Sequence, residues 1–451
     1  MAEEVVPMDW ARQQFGSACL GDKRRTARAV ELGASLLNGS DRSLPEQTGN
    51  WNALRAAYRL LAEPDVTHEL LSTPHWGLTR AEASKPDLGA VLLVQDGTEL
   101  DYTSHPQTSG LGFIGNGSGR GMELHTTLCV LPGPEAQVVG MAHSRAWVRG
   151  DKPKKGTETR AQRNARHKET DVWGDCAEAI GPAPDPAIGT RWVSVSDRGS
   201  DVFSFLSRAM ALGWKCLVRS KHDRRMTDLD GEEDRLHEFA RLLPSQSCIA
   251  LDLRARAGQP ARKVNLHLAW SPVTLQPPSD TPGTPIEAWC IRAWELAEDG
   301  LEWILVSTDP VLTLSDVHEK LEWYRCRWLV EEYHKCLKTG CNIERRQVTT
   351  HQSLQALLGF LGVVAVFLLQ LKTTCKPATI PEQLKLALQA LSKRKQEDPD
   401  MQTLWRQIAM LGGFLGRKSD GQPGWQTIWR GWNRLQDIAL GVELGLKLAQ
   451  S

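Results

Sequence analysis

Two short strand-like runs constrain this chain more than anything else in it. Residues 89–95 (GAVLLVQ) form a continuous apolar run, as in a strand buried on both faces of a sheet, and residues 191–196 (RWVSVS) read as a second strand. Each is followed by an aspartate, Asp96 and Asp197. A carboxylate at the end of a buried strand sits at the sheet rim, where open α/β sheets bind their ligands. Aspartate also favours turns and caps, so neither residue decides the matter alone.

The surroundings fill out an α/β core with helical appendages. Residues 9–70 read as helices: one begins near Asp22 and ends at Gly39, and a second crosses residues 52–64 and stops at Pro64. Residues 123–132 and 136–148 are further strands joined by a PGPE turn, an antiparallel start to a mixed sheet. Residues 201–213 read as a helix and 215–220 as a strand. Acidic turns, proline-rich stretches and strand-like pieces then mark a β-rich insertion over 222–300, and residues 302–308 (EWILVST) return to strand. Leu314 to Lys338 is read as helix with Gly340 as its stop, and the remainder is helical, with a tail rich in tryptophan (Trp405, Trp425, Trp429, Trp432). The division expected is 1–70, 71–372 and 373–451.

Composition narrows the class. The 451 residues carry 54 Lys+Arg and 54 Asp+Glu, so no uniformly basic coat is present, and local basic patches must be sought one by one. Ordinary apolar and charged fractions of 41% and 24% exclude a disordered chain. Residues 356–369 are the longest apolar run, short of the roughly 20 needed to span a bilayer, and read as a core helix. With two early glutamates the first residues do not read as a secretory signal. Ten scattered cysteines without a CxxC pair suit free thiols in a reducing compartment, so a cytoplasmic location is expected.

The most specific pattern lies in residues 323–340 (WYRCRWLVEEYHKCLKTG). Tyr324, Arg327, Glu331 and Lys338 stand at i, i+3, i+7 and i+14, which on a regular helix makes one narrow stripe. A solvated, salt-bridged face is the plainer account of such a stripe. Two or three carboxylates converging from strands and a helix would suit Mg²⁺, which takes oxygen ligands. A pair of ions about 4 Å apart serves phosphodiester displacement.

These residues resemble the insertion-sequence-four family of DDE transposases, through Tyr-x2-Arg-x3-Glu-x6-Lys. The likeness extends along nearly the whole chain. LGDKRRTAR (20–28) and AAYRLL (56–61) resemble that family's DNA-binding domain. QDGTELDY (95–102) and SDRGSD (196–201) resemble its aspartate motifs. VRSKH (218–222) resembles a basic strand end that touches DNA. LGGF (411–414) and GWQTIWRGW (424–432) resemble a dimerisation region. The chain departs from the pattern at Gly97 and at Gly199-Ser200, without loss of a carboxylate.

The resemblance implies a ribonuclease H-like mixed-sheet catalytic core with a β-rich insertion, flanked by helical N- and C-terminal domains. It implies Asp96, Asp197 and Glu331 as catalytic, metal-holding residues. The metal would be two Mg²⁺ per site, with Mn²⁺ substituting. It further implies a homodimer acting on double-stranded DNA in the bacterial nucleoid. The expected activity is cut-and-paste transposition through a hairpin. A catalytically silent end-binding relative and a metal nuclease without strand transfer are the alternatives.

DNA contacts are expected from Tyr324, Arg327, Lys335 and Lys338, and from Trp328 beside them. Trp303 matches a tryptophan that stacks on a flipped base, though by pattern it reads as core. Basic clusters add Arg24, Arg25 and Arg28; Arg219 and Lys221; Arg345 and Arg346; and a segment with Lys152, Lys154, Lys155, Arg160, Arg163, Arg166 and Lys168. The GxGxxG string at 110–115 follows no strand and opens no helix, so it reads as a hairpin loop and not a nucleotide site. No membrane or nucleotide partner is expected. His334, Cys336 and Cys341 lack a fourth ligand for zinc.

Overall fold

The computed structural model describes residues 6–150, 159, 168–253, 262–279, 283–297, 299–374, 382–391, 400–417 and 420–450. Of the basic segment after Arg149, only Lys168 lies among them. Lys152, Lys154, Lys155, Arg160, Arg163 and Arg166 lie outside the described residues.

The apolar run at 89–95 becomes β1 (Gly89–Asp101), the centre of a mixed sheet. The strands that follow are β2 (Gly112–Ile114), β3 (Gly119–Leu131), β4 (Gln137–Trp147), β5 (Thr190–Ser196) and β6 (Lys215–Arg219). β3 pairs antiparallel with both β1 and β4. β5 lies parallel to β1, and β6 parallel to β5. The order β4-β3-β1-β5-β6, an antiparallel meander continued by two parallel strands, is the ribonuclease H-like mixed core.

The insertion supplies β7 (Arg225–Thr227), β8 (Glu233–Arg235), β9 (Ser247–Leu253), β10 (Arg262–Leu275) and β11 (Ile286–Trp294), and β12 (Glu302–Ser307) follows. It extends the same sheet. β12 pairs with β6, β11 with β12 and β10 with β11, all antiparallel. Among the described residues the sheet therefore has twelve strands. The GxGxxG string forms part of the β2–β3 hairpin, whose connection uses glycines with positive φ at Gly115 (59°) and Gly117 (98°).

Residues 90–95 of β1 are all buried, and their side chains alternate between two cores, as a strand covered on both faces requires. Leu92 and Val94, with Val193 and Val195 of β5, face a core built with the long helix His351–Thr374. Val91 and Leu93 face the opposite core, with the helices Val172–Ile180 and Phe203–Ala211. The apolar run 356–369 lies inside His351–Thr374. That helix has the length and composition to cross a membrane, yet it is mostly buried within the protein.

The N-terminal region is helical. Asp22 caps Lys23–Leu37 by accepting from the Arg24 N–H at 2.8 Å, and Asn50 caps Trp51–Leu61. The next helix, His68–Ala83, runs through the expected boundary at residue 70. It docks on β4, where His75 Nε2 accepts the Met141 N–H at 3.1 Å, so by packing it belongs with the sheet.

The expected single helix from Leu314 to Lys338 is interrupted. A capping box of Thr313 and Asp316 starts Leu314–Cys326, Arg327 marks a break, Trp328–Lys335 follows, and Cys336–Gly340 is a π turn closed by Cys341 N–H to Cys336 C=O at 2.9 Å. The wider turn shifts Lys338 off the phase of a regular helix. Gly340 does end the segment, but its φ is not positive; the left-handed residue is Asn342. Glycine at 340 admits Trp429, whose Cδ1 would lie 3.1 Å from an added Cβ.

Candidate active site

Register brings the two aspartates level. Val94 pairs with Val195 across the parallel β1–β5 ladder, so two residues further on Asp96 and Asp197 come level; Asp197 stands just past the end of β5, but Asp96 does not close its strand as expected, because β1 continues to Asp101 in its pairing with β3. Both follow the face that packs toward the long helix, because side chains alternate. Asp96 Oδ1 accepts the Gly97 N–H at 2.8 Å, and Asp197 Oδ1 accepts the Gly199 N–H at 2.7 Å. Each carboxylate is thereby oriented by its own backbone.

Glu331 joins them through Arg327. The Arg327 guanidinium lies 3.4 Å from Asp96 Oδ2 and forms a short bond to Glu331 Oε1. Burial, then the Asp197 charge, pushes the Asp96 carboxyl up to about 6; Glu331 adds to the rise, while Gly97 and Arg327 oppose it. Three carboxylates that share one arginine form a hard-oxygen donor set of a kind that suits a divalent cation. Among the described residues, no three His, Cys, Asp or Glu side chains are gathered closely enough to hold an ion as they stand. Glu331 is turned onto Arg327 instead.

The other expected residues divide. Tyr324 is buried beside this cluster, and burial raises its hydroxyl pKa against the nearby Arg327 and Arg219 charges; Arg219 itself donates to the Glu302 carbonyl at 3.0 Å. Trp303 is buried too, its ring edge-on to Tyr324 at 5.3 Å between centroids. Trp328 is half-buried against the core. Lys338 donates to the Glu99 carbonyl at 2.6 Å and lies 3.4 Å from Glu344. Lys335 is exposed beside Glu332, while Lys221 and Arg345 are exposed.

On the N-terminal helix, Arg24 pairs with Asp22, Arg25 with Glu63 and Asp65, and Arg28 is exposed. Arg346 departs from the expectation of a DNA contact. It is only 5% exposed and donates to the carbonyls of Ser40 at 2.6 Å and Cys341 at 3.0 Å and to Gln47 Oε1 at 3.1 Å. It ties the N-terminal helices to the end of the glutamate segment. His334 is spent on Thr126, and with Cys336 and Cys341 it is buried in no metal cluster among the described residues.

Residues 7–66 match a family model described as transposase DNA-binding, and residues 158–368 one described as transposase DDE domain. Residues 381–451 match a model described as the transposase Tn5 dimerisation domain. The chain belongs to the DDE transposases. Asp197 and Glu331 fall inside the matched DDE segment of the transposase, and Asp96 precedes it. A DDE domain implies use of a divalent metal ion, and the two flanking matches imply DNA and a second copy as partners. The solved cryo-EM structure of a piggyBac transposase synaptic complex with hairpin DNA aligns at 9% identity over 82% of this chain and 75% of that chain, with a TM-score of 0.39.

Sequence reasoning passed over the second aspartate of SDRGSD. Asp201 of the transposase is 1% exposed and ion-paired with Arg224. Its Oδ2 accepts the N–H groups of Lys221 at 2.6 Å and His222 at 2.9 Å. The turn carrying Asp197 is thus clamped to the basic end of β6. The signal available was the repeat of aspartate four residues after Asp197, at the far end of the same turn.

Proposed function

We propose that this transposase moves DNA by cut-and-paste, with Asp96, Asp197 and Glu331 together holding a pair of Mg²⁺ ions that Mn²⁺ can replace. The observation that carries the reading is the level placement of Asp96 and Asp197 on one face of adjacent parallel strands, with Glu331 drawn to Asp96 through Arg327. When bound, the ions supply charge that favours deprotonation of the attacking oxygen and stabilises the leaving one. The chain's own groups place the DNA. Arg327, released from the carboxylates, presents a fork suited to a phosphate. Lys335, Lys338, Arg219, Lys221 and Arg345 add phosphate contacts, and Arg24, Arg25 and Arg28 hold the transposon end. Trp303, once its packing on Tyr324 opens, and the half-buried Trp328 offer indoles for a base turned out of the duplex, worth about 1–3 kcal/mol of stacking.

Water opens the strand at the transposon end. The freed 3′-hydroxyl attacks the opposite strand and closes a hairpin, displacing the flanking DNA. A second water reopens the hairpin, and the same hydroxyl then joins target DNA. Each step exchanges one phosphorus–oxygen bond for another, with no covalent enzyme intermediate. In the homodimer each subunit binds one end and cuts the other, in the nucleoid of a bacterial cytoplasm. Duplexes carrying the inverted repeats that flank the gene, incubated with Mg²⁺ and resolved on a denaturing gel, test this. Nicks followed by hairpins are expected; cleavage surviving in Glu331→Ala overturns the assignment.

A further inference from the structure

Glu332, the neighbour of Glu331, points away from the metal-holding role into a separate network. Its carboxylate, 14% exposed, receives Lys335 Nζ at 3.1 Å on one oxygen, and Lys372 Nζ at 3.1 Å and the Trp425 Nε1–H at 3.2 Å on the other. Burial would raise this carboxyl, but Lys372 and Lys335 hold it below the ordinary range. The three donors come from three places. Lys335 is on the same helix, Lys372 is in the last turn of His351–Thr374, and Trp425 is the first residue of the C-terminal helix Trp425–Gln450. Lys372 also stands 4.1 Å over the Trp425 ring. One turn on, Trp429 is stacked with Trp425 at 5.9 Å and 20°, and packs against Gly340 at the end of the glutamate segment.

The dimerisation helix therefore grips the glutamate segment at two points, and the first is covalently adjacent to Glu331. Successive residues on a helix differ by about 100° in direction. A rotation that freed Glu332 from Trp425 and Lys372 would carry Glu331 with it. We propose that Glu332 is a positioning residue: by docking on Trp425 and Lys372 it sets the orientation of Glu331, so that seating of the dimerisation helix governs assembly of the metal site. This rests on Glu331 being one of the metal-holding carboxylates.

The test uses the full-length protein without DNA. Mn²⁺ is titrated and the free ion followed by electron paramagnetic resonance, and amide hydrogen exchange is read over 328–340. Trp425→Phe removes one N–H and keeps the ring packing, and Glu332→Gln keeps an acceptor but removes the charge. Both are expected to bind Mn²⁺ about tenfold more weakly, the scale of changes in groups that orient a ligand. Both should also exchange faster over 328–340, with unchanged melting temperature. Asp96→Asn, which touches none of this network, should lose Mn²⁺ binding while exchange over 328–340 stays as in wild type. If Asp96→Asn binds Mn²⁺ like wild type, the metal reading of the site falls, and the exchange data still judge the docking. If Trp425→Phe and Glu332→Gln match wild type in Mn²⁺ affinity or in exchange, the positioning role is overturned while the three-carboxylate reading stands.

Discussion

The guanidinium of Arg327 lies 3.4 Å from Oδ2 of Asp96, a residue 231 positions earlier in the chain. The same side chain holds Glu331, so one internal cation spans two of the three carboxylates. Removing it leaves more negative potential at the cluster and frees Glu331. Arg327→Ala is therefore expected to bind Mn²⁺ about tenfold more tightly without DNA, and to nick DNA ends more slowly for want of a phosphate contact. Arg327→Lys, a point charge without the fork, should fall between. Mn²⁺ titration beside single-turnover nicking checks both arms; weaker Mn²⁺ binding in Arg327→Ala would show that the arginine does not compete for the site.

Asp201 makes a second prediction. Its pair with Arg224 is nearly inaccessible, the side chains being 1% and 10% exposed. Truncating one partner strands a buried charge, and Lys221 and His222 also lose the acceptor of their N–H groups. Asp201→Ala should cost about 3–5 kcal/mol in urea unfolding. A loss below about 1 kcal/mol, the scale of an exposed pair, would mean that the clamp is wet and weak.

What could be read ahead of the structure was local or periodic. The run at 89–95 announced a buried strand because its apolar residues are consecutive, and 356–369 announced a core helix by length. Asp96, Asp197 and Glu331 could be singled out because two follow apolar runs and one sits in a specific spacing, although β1 runs on past Asp96 to Asp101. What escaped depends on partners far along the chain. Arg346 looked like a surface cation, and only its carbonyl partners at Ser40 and Cys341 show it buried. Trp303 and Tyr324 are twenty-one positions apart, and nothing in either marks them as neighbours. The π turn at 336–340 shifted Lys338, and the glycine at its end packs on Trp429, a contact made some ninety residues later. The insertion joined the main sheet because β12 pairs with β6, a choice that hydrophobic pattern alone does not encode.

Buried histidines set the acid limit of stability. Burial lowers His68 and His125 to about 3 and His75 and His143 to about 4. In the unfolded chain each titrates near 6.5. Between the folded and unfolded values the unfolded state binds more protons, so the stability these groups contribute is whole above pH 6.5 and drains away as pH falls toward 4. Each costs about 1.4 kcal/mol per pH unit within that range. Urea unfolding at pH 7.5, 6 and 5 should show a steep decline below 6.5. A flat profile from 7.5 to 5 would mean that these rings take up protons in the folded protein. His68→Gln, which keeps polar atoms to meet Ser144, should make the slope shallower by one proton.

The C-terminal helices cross at two glycines, and this yields the sharpest steric prediction. A Cβ on Gly431 would lie 1.7 Å from the Ile408 carbonyl oxygen, and one on Gly412 would lie 1.9 Å from that of Thr427. Both obstacles are backbone, so no rotamer relieves them; Met401–Leu411 and Trp425–Gln450 would have to separate. That separation loosens Trp405 from Trp429 and Trp432, whose rings lie 6.1 and 5.8 Å away. Gly431→Ala is expected to destabilise the region by at least the roughly 1–3 kcal/mol of an overpacked core and to reduce the dimer seen in sedimentation. Gly441→Ala is the matched control. It sits in the same helix with nothing within 4 Å of an added Cβ, and should stabilise by about 0.5–1 kcal/mol. Should Gly431→Ala melt and assemble as Gly441→Ala does, the two helices are not held in backbone contact.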